Sequence, residues 1–246
     1  MNLAEHLQET DPMGLQTLER LAAATRFNRW MFDTIRPHCK GHVFEVGSGI
    51  GNISRLFLEE GFQLTASDLR QEYIAYLKQQ LGHHSNLKDV CSVDLVLPDF
   101  AQKYPQLVGQ FDTVVALNVV EHIEDHQKAL ENCYQMLKPG GHAVILVPAF
   151  QALYNVFDEE LGHFRRYTKK TLIAVEEKAG FKVIHKQYFN TTGMLGWFLN
   201  GRVRKKRLIP AGQLQAFDKL MPIVKLVDVV TFRTVGLSVI AVGRKP

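Results

Sequence analysis

The run Val43-Phe44-Glu45-Val46-Gly47-Ser48-Gly49-Ile50-Gly51-Asn52-Ile53 constrains this chain more than any other stretch. An apolar strand breaks into three glycines at alternate positions and then turns helical. Gly47 can take φ values closed to other residues, Gly49 lets the backbone approach a ligand without a Cβ in the way, and Gly51 lets the following helix pack close. A loop of this kind wraps a nucleotide-containing ligand. The spacing is G-x-G-x-G, and a dinucleotide fingerprint would need glycine where Asn52 stands, which steers away from NAD.

At 246 residues the chain suits one α/β domain with additions. Its start, Met1 to Gly14, contains Glu5, Glu9 and Asp11 and no apolar h-region, and no later stretch reaches eighteen apolar residues without a charge. Neither secretion nor a membrane span is expected. Cys39, Cys91 and Cys133 are odd in number, widely separated and without a C-x-x-C pair. Disulfide frameworks and zinc knuckles both lose support, and a cytoplasmic setting is expected. The formal charge of +4 is modest, but Arg202, Arg204, Lys205, Lys206 and Arg207 put five basic residues into six positions.

Apolar spacing predicts one or two helices between Leu15 and the stop at Pro37, forming an N-terminal helical cap over residues 1–40. The remainder, 41–246, reads as alternating strands and helices. After the glycine loop come a helix Asn52 to Glu60, a strand Phe62 to Ser67 ending in Asp68, and a helix around Gln71 to Leu81. A strand Val90 to Val93 ending at Asp94, a less regular helical stretch within Pro98 to Leu107, and a strand Phe111 to Leu117 ending at Asn118 follow. Helix Glu124 to Leu137 is expected to stop at Pro139-Gly140-Gly141, before a strand Ala143 to Val147. Thr168 is the expected N-cap of helix Lys169 to Lys178, ahead of strands Phe181 to Tyr188 and Val235 to Gly243. The alternation implies a mostly parallel sheet with helices on both faces, and such sheets bind ligands beyond the strands' carboxyl ends. Residues 190–234 exceed the connection a minimal fold of this type needs, so they read as a helical insertion.

The glycine segment resembles the first motif of class I S-adenosylmethionine-dependent methyltransferases, E/D-x-G-x-G-x-G, with Glu45, Gly47, Gly49 and Gly51 filling each fixed position. The segment Phe111 to His122 is similar to the family's fourth-strand region, and Leu137-Lys138-Pro139-Gly140-Gly141 to its post-helix turn. The resemblance implies a Rossmann-like α/β fold with a seven-stranded, mostly parallel sheet, and S-adenosylmethionine as cofactor. It places Ser48 and Asn118 with the glycines, Asp68 and its neighbour Leu69 at the ribose hydroxyls, and Asp94 with Leu95 at the adenine amine. A strand-end Asp is often only an Asx-turn residue, and an NAD site would ask the same of Asp68, whereas Asp94 discriminates. Glu45, buried in a parallel strand, needs a partner, and a water held by the cofactor's amino group is the expected one.

Methyl transfer is governed by alignment, which supplies roughly 7–11 kcal/mol at best, and by removal of a proton from a hydroxyl acceptor, which adds about 10²–10⁴-fold. His163 and His122 are the candidate bases. The stretch His163-Phe164-Arg165-Arg166-Tyr167 resembles the His-x-basic-basic-aromatic segment of ubiquinone-biosynthesis O-methyltransferases, which makes Arg165, Arg166 and Tyr167 candidate acceptor contacts. The arginines would pair with an anionic acceptor or with Asp158, and solvated arginines on a packed loop are the bland alternative. Trp30, in Arg26-Phe27-Asn28-Arg29-Trp30, is a candidate lid contact, although a core-packing helix would explain it as well. His122 and His126 lack the glutamate a zincin helix requires, so no metal is expected.

The expected activity is methyl transfer to a small molecule, first at oxygen and alternatively at nitrogen. Base methylation loses ground because Asn118-Val119-Val120-Glu121 replaces the N/D-P-P-Y/F/W motif. Nucleic-acid binding through the basic cluster lacks an aromatic signature, and an NAD(P)-dependent oxidoreductase is the remaining alternative. In the insertion, Met194, Leu195, Trp197, Phe198 and Leu199 precede the basic run, and Phe217, Leu220, Met221, Val224 and Val227 follow it. A lid on the core is one reading. A peripheral membrane contact that collects a lipid-like acceptor is the other.

Overall fold

The structure, a computed structural model, describes residues 12–204 and 211–246. Helices α1 (Pro12–Ala23) and α2 (Thr25–Ile35) precede strand β1 (His42–Val46), the glycine loop and helix α3 (Ser54–Glu59). Then follow β2 (Gln63–Ser67), α4 (Gln71–Leu81), β3 (Leu87–Cys91), the single turn α5 (Phe100–Lys103), β4 (Phe111–Leu117) and α6 (His126–Met136). The chain continues through β5 (Leu137–Pro148), α7 (Val156–Glu160), α8 (Lys169–Lys178) and β6 (Lys182–Phe189). The insertion carries α9 (Thr191–Trp197), a π-helical segment (Phe198–Val203), α10 (Ala211–Lys219) and α11 (Met221–Val230), and β7 (Ser238–Arg244) closes the fold.

The seven strands lie in the order β3-β2-β1-β4-β5-β7-β6, parallel except that β7 runs antiparallel between β5 and β6. Alternation along the central strands sends side chains to two separate cores. Phe44, Val114 and Ala116 pack with Leu130 and Met136 of α6 and Leu172 of α8. On the other face Val43 and Val115 pack with Phe32 of α2, Phe57 of α3 and Leu77 of α4. This is the doubly wound arrangement expected, since each face of a parallel sheet must be covered by helices.

Two local expectations differ from what is seen. The turn Pro139-Gly140-Gly141 does not precede β5 but lies within it. The helix gives way to extended backbone at Leu137, which pairs with Phe111, and the register then jumps so that Thr113 faces His142. The bulge is held because Lys138 Nζ reaches both carboxylate oxygens of Asp112 at 3.0 Å, while the Gly140 N–H donates to Lys245 O at 2.8 Å. Strand β3 also ends at Cys91, earlier than expected, and leaves Asp94 in a turn beyond it. There the Asp94 carboxylate accepts from the Val96 N–H at 2.9 Å.

The insertion is fastened at both ends. Buried Asp228 of α11 accepts from the N–H groups of Asn190, at 2.8 Å, and Thr191, at 2.6 Å. Asp218 of α10 accepts from the Phe27 N–H of α2 at 2.8 Å, tying the insertion to the N-terminal helices. Met221 and Val224 of α11 complete the core beside α2. Lys205, Lys206 and Arg207 lie outside the described residues.

Candidate active site

Three adjacent strands, β2, β1 and β4, end on one edge of the sheet, and the loops they release border a cleft of about 1220 Å³. Its near wall is the glycine loop. Gly47 has φ 65°, and a Cβ there would stand 2.6 Å from Val119 Cγ2, so only glycine fits without displacement. At Gly49, with φ 54°, a Cβ would stand 3.0 Å from Leu18 Cδ1, closer than an ordinary contact, so the glycine lets α1 lie over the loop. Thr17, Leu18 and Leu21 of α1 accordingly border the cleft.

Asp68 crosses from β2 to this loop. One carboxylate oxygen accepts from the Gly49 N–H at 3.0 Å and the other from the Arg70 N–H at 3.1 Å, leaving further lone pairs on the cleft side. Burial raises its pKa, against the pull of these backbone hydrogen bonds. Gly47, Gly49, Asp68, Leu69, Asp94, Leu95 and Asn118 all line the cleft, and Asn118 holds a left-handed φ of 54° at the end of β4. A nucleoside with vicinal hydroxyls fits this edge, because the carboxylates of Asp68 and Asp94 line the cleft as acceptors.

Glu45, Ser48 and Gly51 stand behind that wall. The Glu45 carboxylate accepts from Ser48 Oγ at 3.0 Å and, more closely, from Ser54 Oγ. The partner expected to be a cofactor-held water is thus a pair of hydroxyls, and Glu45 braces the loop against α3. Burial pushes its pKa up to about 7, with the two serine bonds opposing. Gly51 is closed in by Leu77 and Leu81 of α4.

The far wall carries a buried polar cluster. The His163 ring lies 2.8 Å from Asp158 Oδ1 through Nδ1, and its Nε2 stands 4.0 Å from Glu121 Oε1. Arg166 donates from Nε to the same Asp158 oxygen at 2.7 Å and from Nη1 to Ala149 O at 3.1 Å, with its guanidinium 4.7 Å from the centre of the Trp197 ring. Burial disfavours ionised Asp158, but the His163 hydrogen bond and the Arg166 charge prevail and hold its pKa low. Both oxygens of Glu121 and Nη2 of Arg166 are buried without hydrogen-bond partners. Burial drives the Glu121 pKa up to about 8. The His122 ring, open to the cleft and 4.6 Å from that of His163, is surrounded by protein atoms that press its pKa down to about 4, aided by charge on His163.

The histidines singled out from sequence therefore meet, and so does Arg166, whose expected pairing with Asp158 is present. Three other candidates do not face the cleft. Trp30 packs on Phe189 with ring centres 4.1 Å apart, and Phe27 of the same helix borders the cleft instead. Tyr167 is buried in the core and its hydroxyl lies 2.7 Å from His126 Nδ1. Arg165 donates to the carbonyls of Ile123 and Glu124 at 2.9 and 3.0 Å, clasping the loop after β4.

Glu121 and Trp197 border the cleft although no sequence motif marks them, and Asp158 bonds His163 as well as Arg166. The adjacency of Glu121 to His122 at a strand end was the available signal for the first. Glu121, His122 and His163 also bring one donor atom each to within 4.8 Å of one another, a set able to hold a divalent cation even without a zincin motif.

Comparison with known proteins places this geometry. The family model described as "Methyltransferase domain" matches residues 13–186. The chain belongs to the methyltransferase domain family. The chain is 26% identical over 171 residues to the ubiquinone biosynthesis O-methyltransferase of Photorhabdus laumondii, covering 68% of this chain and 64% of that one. The corresponding protein of Erwinia tasmaniensis is 28% identical over 120 residues, 47% of each chain. The chain thus aligns with less than two thirds of either relative. Among solved structures, a SAM dependent methyltransferase from Archaeoglobus fulgidus superposes with a TM-score of 0.57 at 19% identity, over 89% of this chain and 94% of that one. Phosphoethanolamine N-methyltransferase 2 of Haemonchus contortus does so with a TM-score of 0.60 at 18% identity, over 100% of this chain and 60% of that one. These similarities establish a class I, Rossmann-like methyltransferase fold.

Proposed function

We propose that this chain transfers the methyl group of S-adenosylmethionine to an oxygen of a small molecule with an apolar, lipid-like body, and that it works in the cytoplasm, in peripheral contact with a membrane through 190–234. Supporting this reading above all is the position of the His163–Glu121 pair, on the far wall of the cleft whose near wall carries the glycine loop and Asp68. The cleft exceeds the roughly 300–1,000 Å³ usual for a single ligand, so two molecules can meet there. Phe157, Trp197 and Phe217 make its remaining wall apolar.

The cofactor would lie along Gly47, Gly49, Asp68 and Asp94, and its sulfonium supplies an electrophilic methyl. The residues of this chain then need only orient an acceptor and take up its proton. Asp158 fixes the Nδ1 side of His163, which leaves Nε2 to accept a proton from a hydroxyl in the cleft. Glu121 Oε1 stands 4.0 Å from that nitrogen. His122, with its pKa near 4, remains a neutral hydrogen-bonding group. Arg166 Nη2 offers a free donor for an acceptor oxygen. A hydroxyl must lose its proton as the new bond forms, which is the reason for preferring oxygen to nitrogen.

The test is a panel of hydroxylated and amino acceptors carrying apolar tails, assayed with labelled methyl donor. His163→Ala should lower turnover about 10²–10⁴-fold while S-adenosylhomocysteine affinity stays unchanged. Methylation confined to amines, or undiminished turnover in that variant, would overturn the reading.

A further inference from the structure

The outer side of the insertion carries a surface that the cleft does not use. On α11, Met221, Val224 and Asp228 face inward, while Ile223 and Leu226, about 60% exposed each, point outward together with Val229 and Val230. These outward positions recur at helical spacing and form one apolar face. The helix then ends in a turn where Phe232 and Arg233 both adopt left-handed backbone, at φ 50° and 52°. Such a conformation is unfavourable for a bulky side chain, yet it holds the Phe232 ring 85% exposed beside the apolar face.

Charge is distributed one-sidedly around this face. Between Lys219 and Thr234 the single acidic residue is Asp228, which is buried and occupied with the N–H groups of Asn190 and Thr191. Basic groups gather at the Phe232 turn: Lys169 Nζ lies 3.4 Å from Arg233 O, and exposed Lys186 stands near Lys169. Exposed Lys219 at the end of α10 and half-buried Lys225 of α11 add further positive charge. The edge strand β6 contributes half-exposed Ile184.

From these positions we infer that the outer face of α11 and the Phe232 turn dock on an anionic lipid surface, with Phe232, Ile223 and Leu226 entering the interface and Lys186, Arg233 and their neighbours meeting phosphate headgroups. An interfacial helix needs an apolar stripe, a projecting aromatic and a basic rim free of acids, and all three coincide here. The inference refines the membrane contact proposed above by locating it. Trp197, grouped with the membrane-facing residues by sequence, points inward to Phe157 and Arg166 instead. The inner side of the same insertion, through Thr192, Gly196, Trp197 and Phe217, borders the cleft. A lipid-like acceptor would therefore pass from the docked side of one small helical unit to its catalytic side.

Flotation of the full chain, with neither cofactor nor acceptor added, tests this independently of methyl transfer. Vesicles of phosphatidylcholine alone are compared with vesicles containing phosphatidylglycerol, at low and high salt. Binding is expected only with phosphatidylglycerol and should weaken at high salt. The triple variant Ile223→Gln, Leu226→Gln, Phe232→Ser should reduce it at least tenfold, and Lys186→Gln with Arg233→Gln about fivefold per charge removed. Unchanged S-adenosylhomocysteine affinity verifies that each variant is folded. Absence of salt-sensitive binding would overturn the inference, as would full binding by the triple variant. Concentration-dependent self-association abolished by the triple variant would overturn it too, because the face would then belong to a second copy of the chain.

Discussion

Replacing Glu121 by glutamine exchanges an orphaned buried carboxyl for an isosteric amide, and its consequences for stability follow from linkage. In the unfolded chain the carboxyl ionises near its ordinary pKa of 4.5, whereas in the folded chain burial moves that point to about 8. Between these limits the folded state holds a proton that the unfolded state has released. Stability contributed by this difference is therefore present at low pH, falls as pH rises from about 4.5, and is gone once the folded pKa is passed. At about 1.4 kcal/mol per pH unit, wild type should lose roughly 3 kcal/mol between pH 5.5 and 8.5 that the Glu121→Gln variant keeps. Glu45, raised to about 7, and Glu176, raised well above its ordinary value by burial, shift stability in the same direction in both proteins, so they cancel in the comparison. Urea unfolding of both proteins at the two pH values measures the difference directly. Nearly equal stability at pH 5.5 and an advantage for the variant at pH 8.5 are expected. Parallel loss in the two proteins would show that Glu121 has an ionised partner and would refute the argument. Turnover should follow the same group, with wild-type activity rising toward pH 8 and the variant lacking that limb.

Asp68→Ala should weaken S-adenosylhomocysteine binding by about 1–3 kcal/mol, read by calorimetry, and unchanged affinity would remove the carboxylate from the cofactor site. Gly47→Ala forces a Cβ against Val119 at a positive φ, so a fall in stability of roughly 1–3 kcal/mol is expected in denaturant titration. A stability equal to wild type would show that the loop can move aside.

The alternation of apolar strands with helices was legible because a parallel strand covered on both faces reads as a continuous apolar run, and its helices carry their own periodicity. The glycine loop was legible for a related reason: conformations closed to other residues leave glycine as the trace. Boundaries after β3 and α6 were not, since they depend on contacts across the sheet. Lys138 reaching Asp112, and Gly140 reaching Lys245, decide that Pro139-Gly140-Gly141 bulges inside β5 rather than ending before it. Trp30 and Tyr167 show the same limit within the site. A helical or loop aromatic carries no mark of whether its ring meets a ligand or, as with Phe189 against Trp30, another part of the core.

What the sequence by itself determined is the sheet edge: the succession of β1 to β5 along the chain, the glycine loop, and Asp68, Asp94 and Asn118, which line one cleft. These groups sit at fixed offsets from strand ends, and the strands declare themselves by local pattern. Only the tertiary structure decided the opposite wall. Glu121, Asp158, His163 and Arg166 come from the two separate segments that follow β4 and β5, and their meaning lies in partners made or left unmade: the Asp158 carboxylate bonded three times, that of Glu121 not at all. It likewise decided which side of α11 is buried, turning Trp197 toward the cleft and Phe232 toward solvent. A hydrogen bond withheld and a face left uncovered depend on the whole packed chain, and no local stretch of sequence encodes either.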